Sequence, residues 1–240
     1  MKVGIIVFEN VEVLDFAGPF EVFSAAARQP ELGLTLETVG LAPEVICRGG
    51  LVVKPSRLLS EEPTYDLLIV PGGPGARAMV AAARAAASAT RPGDSATGLG
   101  PRRSERPATG PDPRTATFGR DPAAEARSII QYVTAHADRK ALVASVCTGA
   151  YFLAEAGLLA GRRATTHHGA LEHFRETYPE VQVAAERYVD LGRVLTSGGV
   201  SAGIDMALHL VDRLLGPRVS QTVADILEWG QMSWQARHIK

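Results

Sequence analysis

The chain has 240 residues, 46% of them hydrophobic and 21% charged, which is enough for one well-packed α/β domain and cramped for two. Its 25 basic and 26 acidic residues are interspersed and leave a formal charge of -1, which argues against the broad positive footprint of a nucleic-acid binder or an anionic-membrane protein. Cys47 and Cys147 are the only cysteines, no apolar run reaches transmembrane length, and Glu9 and Asn10 break the N-terminal stretch, so a cytoplasmic protein with reduced thiols, off the membrane, is expected.

In chain order, "KVGIIVF" is a β-branched run suited to a strand buried on both faces. In "NVEVLDFAGPFEVFSAAARQ" a helix is expected to begin around Phe20, with Pro19 in its first turn, where a missing N–H costs little. "LTLETVGLA" and "EVICRGGLVVKPS" read as short strands, and Cys47, inside the second, reads as a core residue. "YDLLIVPGGPGARAMVAAA" is strand, glycine turn and helix. Residues 84–127 are rich in Ala, Arg, Pro, Gly, Ser and Thr and hold only Leu99 and Phe118 as large apolar residues, which predicts a disordered insertion.

"AEARSIIQYVTAHADRK" places Ile129, Ile130 and Val133 on one helical face. The strand "ALVASV" runs into Cys147 and a helix expected to reach about Leu159, with Gly157 and Gly161 as stops. After "RRATTHHG" come a helix around "ALEHFRETYP", the strands "VQVAAERYVDLG" and "RVLTSGG", the helix "SAGIDMALHLVDRLLG", and a last helix from Ser220. The alternation implies a single domain over residues 1–240 with a mostly parallel sheet and helices on both faces.

Sites in such sheets form where loops leave the carboxyl ends of strands. Four such loops carry candidates. Cys147 sits at a strand-to-helix turn, where a nucleophile projects into the crevice and a helix N-terminus favours the thiolate. Asp15 either caps the coming helix or points at Cys147 as an acid or base, and Glu21, further on, is a second inward candidate. Gly72 and Gly73 in "VPGGPG" allow close approach, and the N–H groups of Gly73 and Thr148 can stabilise developing negative charge. His167 and His168 are adjacent, which does not suit a shared metal. One of them can tune the thiolate, and a surface role is the other reading.

The pieces "VEVLDFAGPFEVF", "DLLIVPGGPGAR", "SVCTGAYFLAEAGLLAGRRATTHH" and "VLTSGGVSAGIDMALHLV" together resemble the ThiJ/PfpI superfamily, which shares its core with class I glutamine amidotransferases. The resemblance covers nearly all of the chain outside residues 84–127. Within the superfamily the sequence most resembles isonitrile hydratases and the amidotransferase-like domains of AraC-type regulators. It implies a flavodoxin-like three-layer sandwich, Cys147 as nucleophile, Asp15 as the acidic residue beside it, and Thr148 as the residue after the nucleophile. His167 falls in a histidine region of many relatives, while His168 stands where isonitrile hydratases often carry an aromatic residue.

The activity implied is hydration of an isonitrile to an N-substituted formamide through a thioimidate on Cys147, with no metal or organic cofactor, a small molecule as substrate, and a homodimer as the assembly. Other cysteine-dependent hydrolases, glyoxal-processing enzymes and non-catalytic small-molecule sensors are the alternatives the family offers.

Overall fold

The computed structural model describes residues 1–89 and 121–230. The elements in chain order are β1 (Lys2–Val7), α1 (Val13–Ala27), β2 (Thr35–Gly40), β3 (Val45–Ile46), β4 (Val52–Val53), β5 (Arg57–Leu58), β6 (Leu67–Val70), α2 (Pro74–Ala89) and α3 (Pro122–Asp138). They continue with β7 (Leu142–Val146), a single 3-10 turn (Cys147–Gly149), α4 (Ala150–Glu155), β8 (Arg163–Ala164), α5 (Leu171–Thr177), β9 (Gln182–Val183), β10 (Tyr188–Asp190), β11 (Val194–Ser197), α6 (Ala202–Leu215) and α7 (Pro217–Ile226).

Seven strands form the main sheet in the order β10-β11-β7-β6-β1-β2-β5, and every pairing is parallel except the edge pair of β10 and β11. From β1 the chain crosses to β2 on one side, whereas β6 lies on β1's other side and leads on to β7. The strand order therefore reverses between β1 and β6. Right-handed crossovers then place α1 and the α2–α3 pair on opposite faces. α1, α6 and α7 pack together, as do α2, α3 and α4, giving the flavodoxin-like three-layer sandwich.

With both faces covered, the central strands are apolar throughout instead of alternating: Val3, Ile5, Ile6 and Val7 are fully buried around Gly4, and Leu67 to Val70 are all fully buried. One contiguous core runs from Val3 to Ala224. The hairpin of β3 and β4 stands off the main sheet and is hydrogen-bonded to the loop after β1, through Asn10 N–H to Ile46 O (2.9 Å) and Arg48 N–H to Val11 O (2.9 Å).

Several local expectations change. α1 begins at Val13, so Pro19 lies inside it rather than in its first turn. α4 stops at Glu155, four residues before Leu159, because Gly157 adopts φ +73 and Leu158 N–H closes on Leu153 O (3.0 Å). Residues 84–89 and 122–127, expected in the insertion, belong to α2 and α3, whose alanines are good helix formers. Residues 90–120 of that insertion lie outside the described residues. Cys47 falls just past β3, in the hairpin turn, and is buried. α7 starts at Pro217 instead of Ser220, since Gly216 breaks α6 and proline suits a first helical position.

Candidate active site

β7 ends against Cys147, whose φ of +57 puts a non-glycine residue in the left-handed region. Such a conformation costs of order 1–3 kcal/mol and persists only where surrounding contacts over-determine it. Here the Cys147 N–H donates to Gly198 O (3.1 Å) and its carbonyl accepts from Thr166 Oγ1 (2.9 Å). The turn also needs two glycines for close approach. A Cβ on Gly149 would stand 2.1 Å from Val70 O, and one on Gly72 would stand 2.4 Å from Thr148 N and 2.9 Å from Cys147 Cβ.

Asp15 lies in the first turn of α1 with no exposed surface. It does not cap the helix. Its Oδ2 accepts from Gly72 N–H (3.2 Å) and its Oδ1 from Val200 N–H (2.9 Å), and the Cys147 thiol lies beside the same carboxylate. Four strand ends thus converge, those of β1, β6, β7 and β11, flanking the point where strand order reverses.

Burial lifts Asp15 from its ordinary range to about 6, against the pull of the Val200, Cys147 and Gly72 hydrogen bonds, and nearby Glu12 adds to the rise. Burial, followed by the negative charge of Asp15, pushes the Cys147 thiol up to about 12, with Thr148 N–H acting in the other direction. Both groups are thus shifted toward their protonated forms, the thiol the more strongly. The thiolate expected from a helix N-terminus is not the resting form, because α4 has six residues and its field is outweighed by desolvation and Asp15.

The expected oxyanion donors are otherwise engaged. Gly72 N–H is committed to Asp15, and Gly73 N–H donates to Thr148 Oγ1 (2.9 Å), which in turn donates to Gly73 O (3.0 Å). Thr148 N–H faces the sulfur, and Gly72 and Gly73 serve to let the turn approach Cys147 and to lock Thr148.

His167 closes one side. Its Cδ2 and the Cys147 Sγ lie 2.2 and 3.3 Å from the point a Cβ on Gly199 would occupy. Its Nδ1 accepts from Gly169 N–H (3.1 Å), which assigns the ring proton to Nε2, and burial with His168 beside it holds the imidazole below its usual value, hence neutral. His168 is exposed and packs against His167 with the rings tilted by 34° and their centres 4.2 Å apart. Glu12 pairs with Arg48 of the hairpin at 2.6 Å. Glu21 is exposed and bonded by Arg28 (3.4 Å), so it takes no part; α1 turns it away from the crevice that Asp15 enters. Among the described residues no cluster of three or more His, Cys, Asp and Glu could hold a metal ion.

Sequence reasoning did not single out Val200, Gly198 or Thr166. The available signal was a Gly-Gly pair ending the strand run "VLTSGG", which marks another loop at a carboxyl strand end.

A family model described as the DJ-1/PfpI family matches residues 119–213. The isonitrile hydratase of Pseudomonas putida is 33% identical over 229 residues, covering 95% of this chain and 78% of that protein. The HTH-type transcriptional regulator CdhR of Pseudomonas aeruginosa is 40% identical over 91 residues, 38% of this chain and 27% of the regulator. A ThiJ/PfpI family protein from Pseudomonas syringae superposes with a TM-score of 0.67 at 21% identity, over 95% of this chain and 74% of that one. An AraC family transcriptional regulator from Pseudomonas putida gives 0.66 at 17% identity, over 94% and 98%. With a buried cysteine elbow at the sheet's switch point and a relative 33% identical over 95% of this chain, the chain belongs to the DJ-1/PfpI family.

Proposed function

We propose that the protein is an isonitrile hydratase, with Cys147 as nucleophile and Asp15 as the proton carrier. The observation that supports this most directly is the Cys147 thiol beside a buried carboxylate that two backbone N–H groups hold in place. Forming a thioimidate requires sulfur and hydrogen to be added to the same terminal carbon of R–N≡C. A thiol and a carboxylate sharing one proton supply both, giving Cys147–S–CH=N–R with the carboxylate regenerated.

Water then adds across C=N, with Asp15 taking its proton and nitrogen receiving one. Collapse of the resulting Cys147–S–CH(OH)–NH–R expels sulfur, which is reprotonated, and releases R–NH–CHO. Each cycle consumes one isonitrile and one water. Thr148 sits beside both the sulfur and the Gly72–Gly73 turn, where it can orient that water.

The test is formamide formation from aliphatic and aromatic isonitriles. Cys147→Ala and Asp15→Asn are each expected to lower turnover at least about 1,000-fold, since each removes a covalent or proton-transfer partner. Absence of turnover by folded wild-type protein across the panel would overturn the assignment. The 40% identity to a transcriptional regulator over 91 residues favours a second reading, a small-molecule sensor, for which the same isonitriles would bind without turnover.

A further inference from the structure

Val200 is the weak point of the site as built. It is β-branched, it adopts φ +56, and its N–H is one of the two backbone donors on Asp15. A strained residue that also supplies a functional hydrogen bond needs outside contacts to hold it. Part of that hold comes from one residue, through its carbonyl and its guanidinium. Arg187, just before β10, accepts from Gly198 N–H through its carbonyl (2.9 Å), at the start of the Gly198–Ser201 turn. Its guanidinium donates to Ser201 Oγ (3.3 Å) at the end of that turn and pairs through Nε with Asp205 in the first turn of α6.

Asp205 is fully buried, and its other oxygen accepts from Trp229 Nε1 (2.8 Å). A buried carboxylate held by two donors does not yield, so the arginine fork is anchored on something rigid. Gly198 O in turn accepts from Cys147 N–H (3.1 Å), so the same turn touches both members of the thiol–carboxylate pair.

We infer that Arg187 is a positioning residue of the active site: with Asp205 as its anchor, it grips both ends of the Gly198–Ser201 turn and so aims the Val200 N–H at Asp15. Arg187 is hydrogen-bonded to neither the sulfur nor the carboxylate of Asp15, and acts on them only through the Gly198–Ser201 turn. The inference concerns the Asp15–Cys147 pair and holds whichever substrate that pair serves.

The experiment follows the Asp15 side-chain carboxyl resonance by carbon NMR against pH in the full chain, with the signal assigned by its loss in Asp15→Asn. Besides Asp15 itself, the ionisable groups acting on it are Cys147 and Glu12, which all the variants retain. Loosening the Val200 hydrogen bond removes a donor from the charged form, so the Asp15 midpoint should rise. Arg187→Leu should raise it by about one pH unit, a tenfold change in the ionisation constant. Ser201→Ala, which strands no buried charge, should raise it by a smaller amount, and Arg187→Lys should fall between wild type and Arg187→Leu.

Unchanged midpoints in Ser201→Ala and Arg187→Lys would overturn the inference, whatever happens to the melting temperature. If Arg187→Leu fails to fold because Asp205 is left unpaired, those two variants still decide. The readout involves no isonitrile, so its failure is distinct from failure of the proposed activity.

Discussion

A thiol buried against a carboxylate is a poor free nucleophile and a good paired one. Cys147 stays protonated because burial and the charge of Asp15 both penalise the thiolate. Replacing that carboxylate should therefore separate reactivity toward a simple alkylating agent from turnover. Asp15→Asn is expected to speed carbamidomethylation of Cys147 at pH 8 by about tenfold, roughly one unit of thiol pKa, while abolishing formamide production. Peptide mass mapping would follow Cys147 separately from Cys47, whose thiol burial pushes up to about 11. A slower reaction in the variant would show that Asp15 assists deprotonation more than it opposes the thiolate. The candidacy of Cys147 was legible from its setting in "SVCTGA", but its protonation state was not, because desolvation depends on what the rest of the chain packs over the sulfur.

Elements meet here by backbone approach more than by side-chain contact. β6 and the turn after β7 come so close at Gly149 that a Cβ there would penetrate to 2.1 Å from Val70 O, a backbone atom that cannot rotate away. Gly149→Ala is expected to cost about 2–3 kcal/mol in denaturant unfolding, and to slow turnover further by tilting the elbow. Stability close to wild type would mean that β6 and the elbow can part, contrary to this packing. α1 illustrates what periodicity misses. "LDFAGPF" suggests a helix that starts at its proline, yet α1 continues through Pro19, with Gly203 of α6 packed nearby. The contact between α1 and α6, not local propensity, decides that boundary.

Across the whole molecule, two aspartates shape acid stability in opposite directions. Asp190, on edge strand β10, is held down to about 2 by His209, Gly192 N–H and Arg213, which together overcome its burial. Its folded value lies below its ordinary one, so it contributes stability above pH 4 that disappears as pH falls toward 2. Asp15 is raised to about 6, so its contribution is complete below its ordinary value of 3.8 and is lost as pH rises through 6. Urea titrations should show Asp190→Asn less stable than wild type by about 2 kcal/mol at pH 7, with the gap closing near pH 2. The stability of wild type minus that of Asp15→Asn should fall by about 3 kcal/mol between pH 3.5 and pH 7. A flat difference in the second case would show that Asp15 ionises in the fold as freely as in water.

The sequence by itself determined the layered α/β architecture, since continuous apolar runs alternating with helical faces can be buried only in a covered parallel sheet. It also pointed to the carboxyl ends of strands, where Cys147, Asp15 and the Gly72–Gly73 turn meet. Tertiary structure alone decided which groups face one another. Asp15 could be a cap or a proton carrier until the Gly72 and Val200 N–H groups were placed on its two oxygens, and Val200 is 185 residues away along the chain. Glu21 was a second, auxiliary candidate until the turn of α1 put it in solvent. Arg187 carries no local signal at all, because its role rests on a fully buried Asp205 and a turn from a different strand. Composition and periodicity record which residues are buried; they do not record which buried groups face one another.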